Sequence, residues 1–213
     1  MEKFGNITLI NGDCMDYMAT LPDKAYDLAI VDPPYGIGLM KTNAGNWGIR
    51  KECKGDISNQ TKWDFERPSV KYFDELFRVS RNQIIFGGNY FIDLIRKPTS
   101  CFIVWDKMNG DSYFSDCELA WTSFTTATRK FSKFTVQKDR IHICQKPVSL
   151  YVWILDKYGN EGDKIIDTHL GSGSICIACS NLKFEMTGIE IDKAYYESAK
   201  KRLINHKQQK MLF

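Results

Sequence analysis

Apolar residues along this chain fall into short blocks with two spacings, uninterrupted runs and every third or fourth position. Ile7-Thr8-Leu9-Ile10 predicts a strand that ends at Gly12-Asp13. Asp13 suits the cap of a helix over Cys14–Leu21, with Pro22 just past its end. Tyr26–Val31 predicts a buried strand, stopped by Pro33-Pro34. Val70, Phe73, Leu76 and Phe77 recur at helical spacing and predict a helix over Ser69–Val79. Further strands are expected at Gln83–Phe86, Cys101–Trp105, Leu119–Phe124 and Phe131–Val136. A helix over Val148–Tyr158, a strand at Ile165–Asp167 and a helix running through Leu182 follow. A strand at Met186–Ile189 and a helix over Ala194–Asn205 close the series. Short strands alternating with helices imply an α/β fold with a largely parallel sheet and helices on both faces. Gly36–Asp64 is rich in Gly, Asn, Lys and Thr and has few periodic apolar positions, so it predicts a long loop.

With 213 residues and 43% apolar content, the chain is expected to form one domain, 1–213, with a substantial core. No apolar run approaches the roughly 18 residues that suggest a membrane helix. The N-terminus, Met1 to Asn6, has no apolar secretory segment. A cytoplasmic protein without a membrane partner is therefore expected, and seven cysteines fit reduced thiols there. Cys176 and Cys179 form a C-x-x-C inside a predicted helix with no second pair at zinc spacing, so they read as buried small residues. His142, His169 and His206 make no local metal motif, and no metal is expected. Net charge is only +3, but Arg129, Lys130, Lys133, Lys138 and Arg140 crowd one stretch interleaved with Phe131 and Phe134. That composition suits phosphate neutralisation with aromatic stacking; the plain alternative is a solvated face over two core phenylalanines.

Two places carry candidate chemistry. Asp32-Pro33-Pro34-Tyr35 puts a carboxylate and an aromatic ring on one rigid turn at a strand end. The carboxylate and the turn's carbonyls can accept hydrogen bonds from an exocyclic amine, and the ring can stack on the base that carries it. The second place is Asp167-Thr168-His169-Leu170-Gly171-Ser172-Gly173-Ser174, a glycine loop between a strand and a helix. Its glycines allow close approach of a ligand, and the helix start offers free N–H groups. Glu190 ends the next strand, where such folds bind ribose hydroxyls. A triphosphate loop is missing, and Cys176 stands where a dinucleotide fingerprint has its third glycine. A ligand without a pyrophosphate fits better, and S-adenosylmethionine is the candidate, with Asp167 near its amino-acid part and Glu190 on its ribose.

Five motifs give the chain a family resemblance: Asn11-Gly12-Asp13-Cys14, Asp32-Pro33-Pro34-Tyr35, His142-Ile143-Cys144-Gln145-Lys146-Pro147, Leu170-Gly171-Ser172-Gly173 and Gly188-Ile189-Glu190-Ile191-Asp192. In this order the chain resembles the β group of amino-group DNA methyltransferases, in which the catalytic motif precedes the cofactor loop. The resemblance implies the permuted, Rossmann-like fold of S-adenosylmethionine-dependent methyltransferases. It implies Asp32, Pro33, Pro34 and Tyr35 as catalytic residues acting on the N6 of a flipped-out adenine in double-stranded DNA. It implies a cofactor site built from Asp13 and Cys14 near the adenine, Lys146 and Pro147 on the cofactor side, and Asp167, Leu170, Gly171, Gly173 and Glu190. Thr168-His169-Leu170 departs from the proline and aromatic that the family usually carries there. The composition of 36–64 beside the Asp32 turn makes it a candidate mobile loop, and by the resemblance 107–141 is a small candidate target-recognition segment, with a homodimer and a cognate restriction nuclease as further partners to expect. Asp before Pro-Pro-Tyr leans to adenine by resemblance. Cytosine N4 or RNA as acceptor, a catalytically silent DNA-binding module and a nicotinamide oxidoreductase stand as alternatives.

Overall fold

The computed structural model describes residues 1–37, 66–110, 115–134 and 145–210. Among them nine strands form one sheet in the order β1-β2-β9-β8-β3-β4-β6-β5-β7. In chain order the strands are β1 (Glu2–Phe4), β2 (Ile7–Asn11), β3 (Tyr26–Val31), β4 (Ser80–Phe86), β5 (Phe102–Asp106), β6 (Cys117–Thr122), β7 (Arg129–Ser132), β8 (Lys164–Asp167) and β9 (Glu185–Glu190). The helices are α1 (Cys14–Ala19), α2 (Val70–Val79), α3 (Ile92–Ile95), α4 (Val148–Tyr158), α5 (Ser174–Leu182) and α6 (Lys193–Lys210), with a 3₁₀ turn at Gly88–Tyr90. Strands β2, β9, β8, β3 and β4 run parallel, as the alternation of elements predicts. The exceptions are β1, a hairpin on β2, and β6, which lies antiparallel between β4 and β5.

Alternation along the central strands sorts the core into two layers. Leu28 and Ile30 of β3 face the layer of α4, α5 and α6, with Leu150, Ile154, Ile175 and Leu203. Ala29 and Val31 face the layer of α1, α2 and α3, with Met18, Phe73, Leu76 and Ile95. Both faces of β3 are covered over Leu28–Val31, which is why that stretch is an unbroken apolar run. In α2 the residues Tyr72, Phe73, Leu76 and Val79 form the buried stripe.

Strand β6 lies two residues earlier than its apolar run suggests, because Asp106 pairs with Cys117 at the open end of β5. Strand β7 likewise starts at Arg129, opposite Ile103. Strand β4 begins at Ser80, directly after α2. The hairpin strand β1 and the short α3 have no periodic signal in the sequence. Of the candidate loop 36–64, only Gly36 and Ile37 are among the described residues. Much of the described part of 107–141 is built into the sheet as β6 and β7. No helix among the described residues is long and apolar enough to cross a membrane.

Candidate active site

The parallel sheet changes direction of travel between β8 and β3. From β8 the chain moves to β9 on one side, and from β3 it moves to β4 on the other. Ligands in open α/β sheets bind at such a switch, beyond the carboxyl ends of the strands. Asp32 follows β3, Asp167 ends β8 and Glu190 ends β9, so three acids meet at this crevice.

The turn after β3 is held from several directions. The Tyr35 hydroxyl donates to Asp32 Oδ1 at 2.7 Å, and Lys146 Nζ bonds Asp32 Oδ2. The Tyr35 ring stacks on Tyr90 at 5.0 Å between centroids and meets Phe91 edge-on at 6.0 Å. Beneath it Gly87 adopts φ +67°, and a Cβ there would lie 2.2 Å from Tyr35 Cε1. A side chain at 87 therefore cannot share space with the ring. Pro33 is buried and Pro34 half-buried, which keeps the turn rigid.

The glycine loop after β8 is folded onto β9. Gly171 N–H donates to Glu190 Oε2 at 2.8 Å, and Asp192 N–H donates to Glu190 Oε1 at 2.9 Å. Each Glu190 oxygen keeps a lone pair for a further donor. Burial raises the Glu190 carboxyl above its ordinary value, against the pull of those N–H groups. Asp167 is 2% exposed and accepts the His169 N–H at 3.0 Å. Burial pushes its carboxyl up to about 8, with Asp32 and Glu190 adding repulsion and Lys146 opposing them. His169 is pushed down to about 4 by burial, so it stays neutral near pH 7. Its Nδ1 lies 2.9 Å from Thr168 Oγ1, which bonds the buried Tyr72 hydroxyl at 2.7 Å. Thr168-His169 thus replaces the family's proline and aromatic with a buried polar chain.

Leu170 is buried against Gly188, where a Cβ would lie 2.8 Å from Leu170 Cδ1. Gly173, at φ +67°, leaves room for Ala199 of α6, and Arg202 of α6 donates to Ser172 O at 2.9 Å. Asp13 caps α1 through Met15 N–H at 2.7 Å, and burial followed by Asp13 pushes the neighbouring Cys14 thiol up to about 12. Asn11 ties β2 to β9 by donating to Glu190 O at 2.8 Å.

Lys146 and Pro147, expected on the cofactor side, lie just before α4, and the Lys146 amine reaches Asp32 in the turn after β3. Glu118, Lys107, Tyr72 and Tyr90 are neighbours that the motifs did not identify. A charged residue in the otherwise apolar Glu118-Leu119-Ala120-Trp121 was the one sequence signal for Glu118. Arg129, Lys130 and Lys133 stand on or beside β7, four strands from β3, about 19 Å by strand spacing. Lys130 pairs with Asp106 at 3.1 Å and Lys133 Nζ donates to Ser149 at 2.8 Å. Phe131 packs on Trp153, while Phe134 is exposed. Lys138 and Arg140 lie outside the described residues, as do His142, Ile143 and Cys144.

The crevice suits a cationic adenosine ligand. Three acids crowd it, and burial leaves one of them, Asp167, protonated at neutral pH. Among the described residues, the nearest atom on the Cβ side of Gly171 is His169 O at 4.0 Å, and nothing lies within 4 Å on that side of Gly12.

Comparison with known proteins agrees with this geometry. The family described as DNA methylase, N6_N4_Mtase, matches residues 93–201, just over half of the chain. Type II methyltransferase M.HpaI of Haemophilus parainfluenzae is 25% identical over 243 residues, spanning 92% of this chain and 73% of that protein. The fold is similar to that of M1.HpyAVI in complex with SAM, with a TM-score of 0.60 and 23% identity over 92% of this chain and all of that one. It is also similar to the PvuII DNA methyltransferase, described as cytosine-N4-specific, with a TM-score of 0.58 and 10% identity over 92% of this chain and 88% of that one. The acid-lined crevice at the sheet's switch point and the family match lead to one conclusion: this chain belongs to the N6/N4 family of site-specific DNA methyltransferases, enzymes that take their methyl group from S-adenosylmethionine.

Proposed function

We propose that the chain methylates the N6 amino group of adenine in double-stranded DNA. The observation that carries this reading is the position of Asp32-Pro33-Pro34-Tyr35, at the end of β3 beside the acid-lined crevice of β8 and β9. An adenine amine is stacked inside the duplex, so the base must be flipped out to reach the turn. Tyr35, braced by Tyr90, offers a ring for the base to stack on. Asp32 and the Pro33 carbonyl accept the two N–H groups of the amine. That arrangement pulls the nitrogen toward tetrahedral geometry and aims its lone pair into the crevice. When bound, S-adenosylmethionine supplies an electrophilic methyl carbon on its sulfonium. Transfer makes one N–C bond, breaks one S–C bond and releases one N–H proton, which Asp32 is placed to receive. Much of the rate comes from positioning, for which roughly 7–11 kcal/mol is available to well-held reactants.

Asp167 and Glu190 serve in this reading as cofactor ligands. Asp167 faces the methionine ammonium and sulfonium, and Glu190 faces the ribose hydroxyls. Leu170, Gly171 and Gly173 shape the pocket, and Asp13 and Cys14 bound its adenine side. Arg129, Lys130 and Lys133, with Lys138 and Arg140, are the proposed phosphate contacts. The remaining carboxylate sites of Asp32 suit an amine of either base, and Asp before Pro-Pro-Tyr favours adenine by resemblance to the β group. Asp32→Ala is the direct test. It should bind the cofactor with near-normal affinity and lose methyl transfer to DNA by at least about a hundredfold. Normal transfer by this variant would contradict the assignment.

A further inference from the structure

Glu118 takes no part in the chemistry just described, yet it is wired to it. Its Oε1 meets Lys107 Nζ at 2.8 Å and its Oε2 meets Lys146 Nζ at 3.1 Å. The Lys146 side chain is only 2% exposed; it bonds Asp32 Oδ2 on its other side and lies 4.5 Å over the Phe86 ring. A string of four charges, Lys107–Glu118–Lys146–Asp32, therefore runs into the catalytic turn, and its charges cancel.

Strand parity explains why four separate segments converge. Ile30, Phe86, Trp105 and Ala120 all face the layer of α4. Asp32, Lys107 and Glu118 lie two residues from Ile30, Trp105 and Ala120 and continue the same faces at one end of the sheet. Lys146 arrives on that face because it directly precedes α4. Strand β6 is antiparallel, so its first residues lie at the end where β3 and β5 finish.

A buried ammonium is costly unless it is paired. Asp32 alone is an incomplete partner. Its Oδ1 already accepts the Tyr35 hydroxyl, and the substrate amine must share the same carboxylate. A second carboxylate allows Lys146 to remain charged and in place while Asp32 turns its remaining acceptor sites to the base.

We infer that Glu118 is a positioning residue for methyl transfer, acting through Lys146 to fix the Asp32 carboxylate against the substrate amine. The inference rests on the role of Asp32 proposed above. The groups in and facing the string are Lys107 after β5, Asp32 and Tyr35 in the turn after β3, Tyr72 in α2, Lys146 before α4, Tyr151 within α4 and Asp167 at the end of β8. Burial works against ionisation of Glu118, but Lys146 and Lys107 outweigh it and hold the carboxyl below its ordinary value. Burial raises the Tyr151 hydroxyl well above its range, with Asp32, Asp167 and Glu118 adding to it, so that group stays neutral. Glu118 is thus a fixed negative charge throughout the neutral range.

The test uses Glu118→Gln, which keeps the shape and removes the charge, and Lys107→Met, which removes the second cation from Glu118. Cofactor binding, DNA binding, and kcat as a function of pH are measured for each. For Glu118→Gln, kcat should fall about tenfold or more while KM for cofactor and DNA changes little. Its alkaline limb should move to lower pH, because Lys146 has then lost the Glu118 carboxylate. For Lys107→Met the alkaline limb should move to higher pH, because Glu118 is left to Lys146 alone. If Glu118→Gln does not fold, Lys107→Met decides by that direction. Wild-type kcat and pH profile in Glu118→Gln, a loss confined to KM, or an unmoved limb in Lys107→Met would overturn the inference. Absence of any methyl transfer by the wild-type chain is a separate result, which would overturn the role of Asp32 first.

Discussion

In the proposed reading, Asp167 couples ligand binding to protonation. Its carboxyl is buried beside Asp32 and Glu190, and burial with that repulsion sets it to about 8. In the free protein it therefore carries a proton at neutral pH. A cationic ligand favours the ionised form, so binding must expel that proton. Affinity for S-adenosylmethionine should rise with pH up to about 8, at no more than about tenfold per unit. Calorimetry in buffers of different ionisation enthalpy should show proton release near pH 7, and none would contradict the pairing. Stability responds to pH in the opposite sense. The folded state holds the Asp167 proton more tightly than the unfolded state, so this contribution is complete below the unfolded carboxyl range and is lost as pH rises through about 8. Asp167→Asn should raise the melting temperature at pH 8 while weakening the cofactor, a trade-off common where a site is strained for function.

At the scale of elements, β4 and the catalytic turn interlock through one glycine. Gly87 combines φ +67° with direct contact on the Tyr35 ring. Gly162 has φ +88°, and a Cβ there would meet no atom of the described residues within 4 Å, so it carries the backbone strain without the contact. Alanine at either place should cost about 1–2 kcal/mol for the left-handed backbone. Only Gly87→Ala should also displace Tyr35 and lose methyl transfer, which melting curves alongside labelled-methyl assays would reveal. Equal activity in the two variants would mean that the Gly87 contact has no catalytic consequence. The central elements of this region were legible in the sequence: β3 as an unbroken apolar run, β8 and β9 as runs ending in acids, α2 as a helical stripe. Strand β6 was misplaced because its start is fixed by pairing with β5, and Glu118 was missed because its partners, Lys107 and Lys146, come from two other segments. Lys146 was legible as part of a motif, but its meeting with Asp32, 114 residues away in sequence, depends on the tertiary fold.

At the scale of the whole molecule, the order of segments matters less than the end of the sheet they reach. Asp13, Asp32, Asp167 and Glu190 come from widely separated stretches, yet each follows or ends a parallel strand at its carboxyl end. The permuted order leaves that arrangement intact, because β2, β9, β8, β3 and β4 keep one direction. The exposed cations of β7 stand on the far edge of the same sheet, and in the proposed reading they are a second place for a duplex to touch. The most direct test of the central claim is to incubate the chain with labelled S-adenosylmethionine and unmethylated duplex DNA, digest the DNA to nucleosides and identify the labelled one by mass. The account predicts label on N6-methyldeoxyadenosine and none on cytosine. Label on N4-methyldeoxycytidine alone, or no label in DNA, would contradict it.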